Sequence, residues 1–134
     1  MIDFSGLNWI AILVSTGAAF ALGGIWYGPA FGSAWMAELG KTEEELQPSP
    51  RPFIISFFSA LLTCVLLAAI IKGFALTTLV DGIIIGFICG IGFIAASMAS
   101  DAAFCGWGIR LFLIQAGYRV VYTVIMGMIL AVWQ

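Results

Sequence analysis

A chain of 134 residues that is 63% hydrophobic and only 9% charged, with a mean hydropathy of +1.14, lies far outside the composition of a soluble domain, whose charged share is nearer ~25%. Five Lys and Arg in the whole chain form no basic patch, so nucleic acid is excluded as a partner. The net charge of −2 says little about orientation in a membrane, which follows Lys and Arg rather than net charge.

Four apolar segments of about 20 residues are long enough to cross a bilayer: Leu7–Tyr27, Phe53–Lys72, Leu79–Ser100 and Ile109–Trp133. Each is predicted to be helical, because a spanning backbone must bond to itself and the runs lack the apolar/polar alternation of a membrane β-barrel. The fold class is therefore an all-α integral membrane protein, one domain over residues 1–134, with four transmembrane helices in a compact bundle. No Lys or Arg precedes Lys41, and the first apolar run is longer than a signal-peptide core, so it is expected to stay as a membrane helix.

Residues 28–52 form the only substantial extramembrane connection. Pro29 follows Gly28 and suits a first helical position, Phe31, Trp35 and Leu39 recur four residues apart, and Gly40 is placed to stop the helix. This predicts a short interfacial helix with an aromatic face in the headgroup region; docking onto the bundle end explains the same pattern. Thr42 and Glu45 have capping-box spacing and predict a further turn of helix. Pro48, Pro50 and Pro52 predict an extended spacer into the second span.

Asn8, Ser15 and Thr16 on the first span and Ser56, Ser59 and Thr63 on the second supply hydroxyl and amide groups, which often satisfy carbonyls of their own helix. Gly82, Gly86 and Gly90 repeat every four residues on the third span and present a smooth face for a close helix contact, within the chain or with a second copy. Gly17 and Ala21, and Gly127 and Ala131, have the same spacing.

The fourth span carries the strongest polar constellation. Gln115, Tyr118, Arg119, Tyr122 and Thr123 fall on one helical stripe. Arg119 lies nine residues beyond Arg110, roughly 13 Å along a helix, which reads as near the bilayer centre. A guanidinium there costs at least ~2.5–3.5 kcal/mol and must face protein, water or a ligand. Asp101 is the candidate counter-ion; neutral acceptors, water or an external anion are the alternatives. Hydrogen-bond cross-linking between helices explains the stripe without a ligand. Trp9, Trp26, Trp107 and Trp133 fall near span ends, as an aromatic belt requires.

Cys64, Cys89 and Cys105 have no paired spacing and no histidine exists. No metal, cofactor or catalytic pair is expected, and the chain reads as a non-enzyme. Lys41, Arg51 and Arg110 lie on one side against Lys72 on the other, which puts both termini outside by the positive-inside rule.

Gly24-Ile25-Trp26-Tyr27-Gly28-Pro29, then Phe31-Gly32, Ala34-Trp35-Met36 and Leu39-Gly40-Lys41-Thr42-Glu43-Glu44, together with Leu113-Ile114-Gln115-Ala116-Gly117-Tyr118 and Met126-Gly127, resemble a family of small bacterial four-helix membrane proteins, catalogued as domain-of-unknown-function family seventeen sixty-one. The resemblance implies the fold and a bacterial inner membrane, but no reaction. Two functional classes fit. One is an oligomeric transport or permeation protein with the polar stripe lining a cavity. The other is an accessory or structural subunit that packs against a larger membrane complex or binds lipid. The partners expected are membrane lipid and either further copies or a larger membrane complex.

Overall fold

A computed structural model describes residues 1–46 and 49–134. Every regular element among them is helical. α1 spans Trp9–Ala30, α2 Gly32–Leu39, α3 Pro50–Gly73, α4 Leu79–Cys105 and α5 Ile109–Val132. The four long helices are each apolar and long enough to cross a membrane, and they gather into one bundle with α5 at its centre, packed on α1, α3 and above all α4.

Local chemistry sets the helix ends. The Asn8 carboxamide accepts from Ala11 N at 3.0 Å and opens α1. Thr78 and Asp81 cap α4 reciprocally, at 3.1 and 3.2 Å. α2 stops at Gly40, whose φ of 66° is the left-handed conformation that closes a helix. Thr42 Oγ1 accepts from Glu45 N at 3.4 Å, and Leu46 N donates to Thr42 O, so the expected extra turn is present.

Two expectations about proline need correction. Pro29 does not start α2; it lies in a π-helical turn, Trp26–Ala30, that closes α1, and Gly28 (φ −108°, ψ −109°) breaks the helical path there. The chain doubles back so tightly that a Cβ on Gly32 would come within 2.5 Å of Tyr27 O, and α2 begins at that glycine. Pro50 and Pro52 are helical rather than extended, because they fall in the first turn of α3, where backbone N–H groups have no helical partner to lose. Pro48 lies outside the described residues.

The glycine face of α4 meets α5 of the same chain. A Cβ on Gly86 would lie 2.6 Å from Val124 Cα, and one on Gly90 3.1 Å from Val120 Cα. Gly82 and Gly127 each face the other's carbonyl oxygen with no room for a side chain. Gly17, in contrast, has nothing within 4 Å of where its Cβ would be, so the small pair on the first span is not a close contact.

The bundle is closed at one end and open at the other. At the end that carries both chain termini, Ile12, Cys64, Ile71 and Met126 are fully buried. There Lys72 Nζ donates to Ser5 O, and Asn8 Nδ2 to Trp133 O at 3.3 Å. Ser5 also donates through its hydroxyl and backbone N–H to the Asp3 carboxylate, holding it below the usual carboxylate range. At the other end every residue of α3 from Pro50 to Ser59 is exposed, as are Ile91–Phe93 and Phe104 of α4. α3 and α4 share no extended packing; they lean on opposite flanks of α5 and leave a lateral opening between them.

Candidate functional site

The open end is organised by aromatic residues. The Trp26 indole N–H reaches across to Ile114 O at 2.9 Å, and its ring lies so close to α5 that a Cβ on Gly117 would be 3.2 Å from Trp26 Cζ2. Tyr118 donates to Ala19 O at 2.8 Å, passing over Gly23, where a Cβ would sit 2.9 Å from its hydroxyl. Tyr27 packs edge-on against Tyr118 at 5.3 Å and against Trp35 of α2 at 4.8 Å. Tyr118 in turn meets Tyr122 at 5.0 Å.

Arg119 lies among these rings, with its charge near Tyr27, Tyr122 and Tyr118. Its side chain turns back along α5, and Nη1 donates to Gln115 O at 3.1 Å, as the lean of helical side chains toward the N-terminus favours. The charge therefore sits about 4 Å nearer the N-terminal end of α5 than its Cα. Trp26 and Tyr27, the aromatic residues at the end of α1, contact α5 between Ile114 and Tyr118.

Asp101 is not its counter-ion. It lies on the exposed side of α4 while its neighbour Ala102 faces the bundle, and the ion pair among the described residues is Arg110 with Glu38, at 3.8 Å. Arg119 is half-buried and bonded to a neutral carbonyl.

The five-residue stripe shares a face but divides its tasks. Tyr118 binds α1, Tyr122 (8% exposed) is buried near Thr63 of α3, and Thr123 (0% exposed) donates to Arg119 O at 2.6 Å. Gln115 and Arg119 remain half-buried. Two of the expected hydroxyl partners serve their own helices: Thr16 donates to Ile12 O and Thr63 to Ser59 O. Two buried polar atoms, Ser15 Oγ and Trp35 Nε1, have no partner. Among the described residues no group of three His, Cys, Asp or Glu is placed to hold a metal.

Between α3 and α4 runs a groove of about 210 Å³, which reaches α5 at Thr123, one turn from Arg119. Thr63, Leu66, Leu67 and Ile70 form one wall, Cys89, Phe93 and Ile94 the other, and Thr123 the floor.

Sequence reasoning did not anticipate the joint role of Gly23, Trp26, Gly117 and Tyr118. The available signal was the pair of motifs at Gly24–Pro29 and Leu113–Tyr118, which face each other as two sides of one contact.

These features define a small helical membrane protein with a tyrosine-framed arginine at its open end. The chain belongs to the family described as "Protein of unknown function (DUF1761)", which matches residues 10–131. Comparison with curated proteins and with solved structures gives no match.

Proposed function

We propose that this is a non-enzymatic membrane protein that holds an anionic group, a phosphate or carboxylate, at Arg119. The observation that carries this reading is a half-buried guanidinium without an acidic partner, beside a lateral opening of the bundle. The Gln115 carbonyl and the neighbouring Tyr27 hydroxyl occupy part of the arginine's five donors, and the fork that remains suits a phosphate or carboxylate taken up in bidentate fashion. This is the binding branch of the two functional classes. The burial of Tyr122 and Thr123 and the bond of Tyr118 to α1 support a packed, ligand-holding face over an aqueous permeation path. The placement of Lys41, Arg51 and Arg110 opposite Lys72 supports both termini outside, in a bacterial inner membrane on our reading, to be checked by labelling single-cysteine variants at positions 2 and 134 from either side.

The site is tested by comparing Arg119→Met and Arg119→Lys in purified protein for bound anions by native mass spectrometry. The Met variant is expected to keep its fold and lose the bound species, and the Lys variant to retain part of it. If Met leaves the bound species unchanged, the assignment of Arg119 fails.

A further inference from the structure

Resting on that reading, we infer that the anion at Arg119 is the headgroup of a phospholipid, one acyl chain of which lies in the groove between α3 and α4. The two sites adjoin at Thr123, whose hydroxyl donates to Arg119 O. Arg119 and Thr123 are one turn apart on the same face of α5, and Thr123 is the groove floor. The guanidinium reaches back to Gln115 O, about 10 Å along the helix from Thr123, so a molecule bound at both runs along the helix axis, its head toward the end of the bundle that carries Trp26 and its tail toward the middle. That is the direction in which a membrane lipid lies.

The groove chemistry selects a chain. Its walls are Leu, Ile and Phe, and the hydroxyls that touch it are already committed: Thr63 donates to Ser59 O and Thr123 to Arg119 O. The Cys89 thiol, a weak donor, is the uncommitted polar group in the lining, too little to hold water or a polar solute. A second helix is disfavoured, because close helix contacts need small residues that let backbones approach. Here Leu66, Leu67, Ile70, Phe93 and Ile94 project from both walls. The glycines of α4 that would serve that purpose are already filled by α5. A free phosphate would satisfy Arg119 but leave the groove without a partner.

Native mass spectrometry of the full chain in detergent provides the test, with three probes: long-chain phosphatidylglycerol, dihexanoyl phosphatidylglycerol and inorganic phosphate. Long-chain lipid is expected to bind one per protein, about tenfold more tightly than its short-chain analogue. Ile94→Trp and, from the opposite wall, Leu66→Trp fill the groove from side chains at its lipid-facing rim. Each is expected to reduce long-chain binding to the short-chain level while short-chain binding and thermal stability stay unchanged; the second variant decides the matter if the first is unstable. Arg119→Met is expected to abolish binding of both lipids. Equal affinity for the two lipids, or long-chain binding that survives both tryptophans, overturns the groove assignment and leaves the anion site standing. Long-chain binding that survives Arg119→Met overturns the anion site itself. Phosphate binding at Arg119 without lipid binding identifies a free-anion site and overturns the lipid. A wild-type dimer that both tryptophans convert to monomer assigns the groove to a second copy and also overturns the lipid.

Discussion

The two ends of this bundle are built from similar amounts of apolar sequence and use it in opposite ways. At the chain-terminal end, α4 and α5 approach until glycine meets glycine carbonyl, and Ile12, Cys64 and Met126 are sealed between helices. At the other end, α3 and α4 turn Phe53, Phe58 and Phe93 outward, burial is confined to the side of α5 that carries Leu111, Ile114 and Ala116, and aromatic contacts surround Arg119. In a membrane both are stable, since lipid tails are as apolar as leucine and association rests on packing rather than on removal from water. The closed end therefore supplies rigidity, and the open end is free to carry a ligand.

This contrast is most directly broken at the glycine seam. Gly127→Leu places a side chain where only the Gly82 carbonyl fits. It is expected to destabilise the protein by more than about 3 kcal/mol, at or beyond the upper end for overpacking, read as lost cooperative unfolding in mild detergent. Wild-type-like unfolding for that variant means that the seam opens without cost and the two ends do not differ. Next in size is a paired truncation. Met126→Ala at the closed end, where the side chain is 0% exposed, is expected to cost about 2–3 kcal/mol. Phe58→Ala at the open end, 61% exposed, should stay within about 0.5 kcal/mol. Equal losses erase the distinction. Tyr118→Phe removes the hydrogen bond to Ala19 O and keeps the ring, and is expected to cost about 0.6–1.5 kcal/mol by the same unfolding measurement. The smallest effect belongs to Glu38→Gln, which breaks a 3.8 Å ion pair with an Arg110 side chain that is 66% exposed. A change below about 0.5 kcal/mol is expected, shrinking further in high salt. A larger loss would show that α2 helps to hold the open end together.

The four spans, the short helix ending at Gly40 and the glycine face of α4 were all legible, because each depends on a local rule of hydropathy, conformation or spacing. The splay of α3 was not. Phe53, Ile54, Phe57 and Phe58 carry the same signal whether they meet another helix or lipid, so hydropathy cannot separate a closed bundle from an open one. For the candidate site, the stripe on α5 was visible from helical periodicity, but its division into packed tyrosines and a free arginine was not, since that depends on which helix lies opposite. Asp101 was assigned to Arg119 on charge and reach, whereas the rotation of α4 decides the matter and turns Ala102 inward instead. The prolines misled for a simple reason. Pro50 and Pro52 disrupt a helix interior, but their placement in a first turn can be known only once the helix start is known.

Helix length also decides how this bundle meets a bilayer. The four long helices have 22, 24, 27 and 24 residues, about 33–40 Å at the rise of an α-helix, against a hydrocarbon core nearer 30 Å. A helix longer than the core fits by leaning from the membrane normal. Each of the four therefore spans with tilt in reserve, α4 with the most, and a bilayer thinner or thicker by a few ångströms is met by a change of tilt at fractions of a kcal/mol per ångström.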